Sequence, residues 1–150
     1  MDANAARAGL ADFVQEMSTN FVSVAKVVEA PLVEAERDPV SVLPYLQTWV
    51  DRMPLDEFET SDWVTLHADI VSFLVKVMNA KFGATWQVRD APNSRTGYRY
   101  VIRATDARGA THEVDPFEVV AQEFQRRPIE VARMLATTEL SLGAPRIDNN

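Results

Sequence analysis

Cysteine is missing altogether from this 150-residue chain. That excludes disulfides, thiolate zinc centres and cysteine nucleophiles. Histidine is scarce: there are two, His67 and His112, and neither sits in a His-x-x-x-His or Glu-x-x-His pattern. The five glycines, Gly9, Gly83, Gly97, Gly109 and Gly143, are too scattered to form a phosphate-binding loop. Gly-x-Ser-x-Gly and Ser-x-x-Lys are absent, so no serine nucleophile is marked. Carboxylates lack the alternating spacing of a calcium loop. No catalytic residue, metal site or cofactor is therefore expected. No apolar run approaches the ~20 residues that cross a bilayer. Met1-Asp2-Ala3-Asn4 lacks the basic start of a secretory signal. Both point to a cytoplasmic protein with no membrane partner.

The apolar fraction of 47% and charged fraction of 25% are those of a globular protein. A chain of this length buries about 70% of its unfolded surface and needs no covalent staple. The expectation is a single domain over residues 1–142, with a frayed tail over 143–150.

Net charge is −7 and unevenly spread. Met1 to Gly83 carries 6 basic and 13 acidic residues, and the remainder carries 9 of each. The acidic balance argues against general nucleic-acid binding. All three lysines, Lys26, Lys76 and Lys81, fall in the first part, and every basic residue of the second part is arginine. Arginine suits planar anion recognition better than lysine does. A bias toward arginine codons would give the same pattern.

Helical spacing dominates the first eighty residues. Leu10, Val14, Met17, Phe21, Val24 and Val28 follow an alternating four–three spacing, with Phe13 beside them. Such a stripe packs into its own domain or forms the seam of a homodimer. Pro31 ends or kinks this helix. Asp38-Pro39 reads as a cap and first turn. Val40, Leu43, Leu46, Trp49 and Val50 give the next apolar face. Thr60 or Ser61 is placed to cap a third helix, whose buried face is Trp63, Leu66, Ile70, Phe73, Leu74, Val77 and Met78. Gly83 stops it.

Period two follows. Ala84–Asp90, Tyr98–Thr105 and Ala110–Val114 alternate apolar and polar residues, separated by turn-rich segments, and predict a three-stranded antiparallel meander. Asp115-Pro116 opens another helix, Arg126-Arg127-Pro128 breaks it, and Ile129 to Leu140 carries the last. The expected fold is α+β: N-terminal helices, a three-stranded antiparallel meander with one open face, then two C-terminal helices.

On that open face Arg89, Arg99 and Arg103 come together, with Arg95 and Arg108 in the flanking loops. Like charges on neighbouring strands repel unless neutralised. Glu113 on the third strand is one candidate to neutralise them; the other is a bound anion, whether an acidic partner, a phosphate or single-stranded nucleic acid. Tyr98 and Tyr100 point inward in this register, which leaves no exposed aromatics to stack nucleic-acid bases. His67 sits at the edge of the third helix's apolar face and reads as structural. Asp69 or His67 with an arginine clamp would be the starting point for an enzymatic or ligand-binding site.

Phe82-Gly83-Ala84-x-Trp86, Tyr98-x-Tyr100 and Asp115-Pro116-Phe117, with Val120 after them, carry a resemblance. Residues 63–135 resemble small uncharacterised bacterial α+β domains. The likeness implies fold rather than activity, because its residues are structural. The functional expectation is a non-catalytic protein-binding domain of adaptor, immunity-inhibitor or secretion-chaperone type. The alternatives are a ligand-binding or enzymatic domain with an arginine anion site, or a subunit assembled through the N-terminal helix.

Overall fold

The computed structural model describes residues 2–143. Among them are seven α-helices and one sheet: α1 (Ala3–Ala8), α2 (Leu10–Val27), α3 (Leu32–Arg37), α4 (Leu43–Asp51), α5 (Thr60–Phe82), β1 (Thr85–Asp90), β2 (Tyr98–Thr105), β3 (Thr111–Val114), α6 (Pro116–Glu123) and α7 (Val131–Ser141). The chain is α+β, with the expected order of helices, meander and helices. Of the tail expected to fray, residues 144–150 lie outside the described residues.

Helix α5 is the central element. Ile70, Val71, Phe73, Leu74, Val77 and Met78 are all buried, so it is apolar around most of its circumference. Its start is Glu59 rather than Thr60 or Ser61: the Asp62 carboxylate accepts the Glu59 backbone N–H at 2.9 Å. Its end is Gly83 at φ +67°, where a side chain would meet backbone strain. Helix α2 packs along one side of α5, and α6 and α7 close the other.

The first helical segment is broken. Gly9 separates α1 from α2, and Asp2 caps α1 by accepting the Ala5 N–H at 2.9 Å. Arg7 of α1 then ties down the edge strand β1, pairing with Asp90 at 3.1 Å and donating to the Val88 carbonyl. Around Asp38-Pro39 the sequence expectation needs correcting. Pro39–Val42 is a 3₁₀ turn, and the α-helix begins only at Leu43. Pro44 has no N–H to give to the Val40 carbonyl, so the α-helical ladder cannot run back through it.

The sheet has order β1-β2-β3, antiparallel throughout, with Val88 opposite Tyr100 and Arg103 opposite Glu113. Trp86, Ile102 and Ala104 join the core. Phe13 of α2 stacks on Tyr100 at 3.8 Å and meets Trp86 edge-on at 5.0 Å. Asp115 opens α6 by accepting the Glu118 N–H at 3.1 Å. The segment between α6 and α7 is held from two sides. Gln47 of α4 accepts the Val131 N–H at 2.7 Å and donates to the Ile129 carbonyl at 2.9 Å. Glu123 accepts the Glu130 N–H at 3.0 Å.

Candidate functional site

The register places the arginines as the alternation predicts. Arg89 stands opposite Arg99, and Arg103 lies two pairs further along the same face. Internal carboxylates neutralise all three. Glu113 takes Arg103 at 2.6 Å and Arg89 at 3.3 Å. Asp115 takes Arg99 at 3.0 Å, with Glu118 at 3.7 Å. Arg89 on β1 reaches Glu113 on β3 diagonally across β2, and the residue beneath that diagonal is Val101. This accounts for Val101, on the outward face, being 0% exposed. The stems of two arginines and their shared carboxylate therefore cover an apolar side chain. Arg95 and Arg108 do not join this cluster. They sit in the loops at opposite ends of β2, whose eight residues span about 24 Å, and neither makes an ion pair among the described residues.

His67 and Asp69 are held on different sides of α5. His67 Nε2–H donates to the Phe117 carbonyl at 2.8 Å, and its ring packs on Phe117 and Phe124. Asp69 faces α2, where Asn20 donates to it at 3.1 Å. Burial raises the Asp69 pKa, against the opposing pull of Asn20. Among the described residues no arginine forms an ion pair with either one. His112 Nε2–H donates to Asp106 at 2.8 Å. That bond and the Ala110 and Arg108 N–H groups hold the Asp106 carboxyl below its usual range. Among the described residues no three histidine or carboxylate side chains gather as metal ligands would.

The heptad stripe goes into the molecule's own core. Phe21, Val24 and Val28 are buried, and Leu10 and Met17 are partly buried against the core. Val14 alone stays open, at 39%. A seam between two copies through these six residues would have to expose what the fold has covered.

Two surface features were missed by sequence reasoning. The first lies at the α2–α4 corner. Val27 on α2, Leu32 and Val33 on α3 and Tyr45 on α4 are 58%, 43%, 78% and 40% exposed, four of the seven large apolar side chains left open among the described residues. Val27 and Tyr45 line one open groove of about 430 Å³ with Trp49, Glu29 and Arg52. From Glu29 to Glu59 the chain carries eight acidic and two basic residues. Among the described residues, Glu34 is the only one of these acids in an ion pair, with Arg37. The apolar run Val27-Val28 and the charge count were both visible in the sequence; which valine faces solvent was not. The second feature is a groove of about 220 Å³ between α2, α5 and the start of β1, floored by Met17, Phe21, Val75 and Trp86.

Comparison with protein-family models, with curated proteins and with solved structures found no match to this chain. Among the described residues no helix is long and apolar enough to cross a membrane.

Proposed function

We propose that this chain is a non-catalytic protein-binding domain of adaptor, immunity-inhibitor or secretion-chaperone type. Its docking surface is the α2–α4 corner, and its partner is a polypeptide segment that carries apolar side chains flanked by lysine or arginine. One observation carries the reading: the four open side chains Val27, Leu32, Val33 and Tyr45 fall within nineteen residues on the most acidic stretch of the chain. Single exposed apolar residues need no explanation, whereas a group of them on a strongly acidic stretch of chain favours a complementary partner. The arginines of the sheet are less suited to this role. Arg89, Arg99 and Arg103 already have carboxylates, and an acidic partner would have to displace Glu113, Asp115 and Glu118.

The test is affinity capture from host lysate by the wild-type chain, by Val33→Glu/Tyr45→Glu and by Arg89→Gln/Arg103→Gln. The captured protein is identified and then titrated directly. Support is one protein that binds the wild type and the arginine variant alike, fails to bind the Val33/Tyr45 variant, and weakens as salt rises. Loss with the arginine variant alone would return the site to the sheet and overturn the reading.

A further inference from the structure

The groove between α2, α5 and β1 differs in chemistry from the acidic corner. Its floor is apolar, formed by Met17 and Phe21 from α2, Val75 from α5 and the Trp86 ring. Val14 stands at its mouth, partly open to water. The fold leaves the space because Gly83 turns the chain sharply out of α5 into β1. Trp86, three residues further on, lines the groove together with Val75, Lys76 and Asn79 of that helix.

Along one wall runs Lys76. Its Nζ lies 5.7 Å from the centroid of the Phe21 ring, close enough for a cation–π contact. Among the described residues it has no carboxylate within salt-bridge distance, in a chain with 22 acidic residues. Lys81, one turn on, does pair, with Glu139 at 3.0 Å. The nearest carboxylate on α5 itself is Asp69, seven residues back and so about 10 Å along the axis. Asp69 is already bonded to Asn20. Ser72 and Asn79 are likewise committed, donating to the Asp69 and Ala84 carbonyls. The groove thus combines an apolar floor with one cation that has no anion to neutralise it.

We propose that this groove binds a small amphipathic carboxylic acid. The apolar tail lies on Met17, Phe21, Val75 and Trp86, and the carboxylate pairs with the Lys76 ammonium. The volume of about 220 Å³ equals the liquid volume of about seven waters. That suits a single short chain or ring. Pockets of this kind take most of their affinity from the apolar lining and their selectivity from a few polar groups. Lys76 is the selectivity group.

The experiment is a two-dimensional amide NMR titration of the whole chain with octanoate, octanol and octylammonium, three probes that share a tail and differ in the head. Octanoate should shift the Met17, Phe21 and Lys76 amides and the Trp86 indole N–H along a saturable curve. Octylammonium should bind about tenfold more weakly or worse, as an unneutralised like charge requires. In Lys76→Met, octanoate should lose its advantage over octanol, with the spectrum of the unliganded chain otherwise unchanged. Val14→Glu, which sets a carboxylate at the mouth, is the second variant and should weaken octanoate selectively. The proposal is overturned if no probe gives saturable shifts. It is equally overturned if octylammonium matches octanoate, or if the shifts gather at Val27 and Tyr45. The last result would place the probe on the docking corner and leave that reading standing while this one fails.

Discussion

Glu29 occupies a position that helices commonly give to glycine. It follows the end of α2 at φ +62°, the one described non-glycine residue with positive φ. Its N–H donates to the Lys26 carbonyl, and that of Ala30 to the Ala25 carbonyl, the two bonds of a Schellman ending. An L-side chain in this conformation is strained, and a carboxylate at a helix C-terminus meets the negative end of the dipole. Glu29→Gly is expected to stabilise the chain by about 0.5–1.5 kcal/mol in urea denaturation. Because Glu29 also lines the groove beside Tyr45, the same change is expected to weaken partner binding. Two carboxylates, Glu123 buried and Asp69 half-buried, give opposite pH signs. Burial raises the pKa of Glu123, but the two-pronged Arg133 bond and the Glu130 N–H outweigh it and hold the group below its ordinary value. The unfolded chain then binds protons more readily, so Glu123 stabilises at pH above the ordinary glutamate range and the contribution fades as pH falls through the folded pKa. Asp69, raised by burial, weakens the fold when ionised and is relieved as pH falls through its raised pKa. Glu123→Gln should therefore destabilise by about 1–3 kcal/mol at neutral pH, and Asp69→Asn should stabilise. Both differences should shrink on acidification, as measured by thermal unfolding across pH.

Elements in this chain are placed by contacts that the sequence showed to differing degrees. The α5 stop at Gly83, the Asp115 cap and the meander were legible because each rests on residues within a few positions of one another. So was the face bearing Arg89, Arg99 and Arg103, since strand alternation alone sets it. What was not legible depends on residues far apart in sequence. Glu113 neutralises two arginines only because β1, β2 and β3 pair in one register. Val101 is buried because side chains from both neighbouring strands meet above it. The start of α7 is an example with a measurable consequence. No residue next to it in sequence caps it by a side chain; Gln47, 84 residues away, accepts the Val131 N–H instead. Gln47 also donates to Asp51 at 2.8 Å and to Ile129, so one amide joins α4 to the α6–α7 connection. Gln47→Ala leaves a partly buried N–H and a carbonyl without partners and should cost about 1–3 kcal/mol. Faster amide exchange confined to Ile129 and the first turn of α7 would show that the loss falls on this joint. Uniform exchange across the chain would show that Gln47 supports the core generally.

For the whole molecule, the distribution of charge decides which partners the open corner can take. Residues 29–59 hold eight acidic and two basic side chains, while the rest of the chain holds fourteen and thirteen. Nearly all the net charge therefore lies in the stretch of chain that carries most of the open corner. A second copy of the chain would be a poor occupant for it. A two-fold interface sets the same patch against itself, so every carboxylate rim would face its own image. At about 0.01 M salt the screening length is about 30 Å, longer than any such contact, and at 1 M it falls to about 3 Å. The heptad stripe offers no substitute seam, because Phe21, Val24 and Val28 are spent inside the fold. Sedimentation velocity at low salt should then give a monomer whose mass does not rise with concentration, and any self-association should emerge only at high salt, where repulsion is screened and apolar contact remains. A partner with a basic rim should show the reverse dependence, binding tightest at low salt and through its association rate. A dimer that forms at low salt would mean that the corner is not repulsive to its own kind. The charge argument for a basic partner would then fail with it.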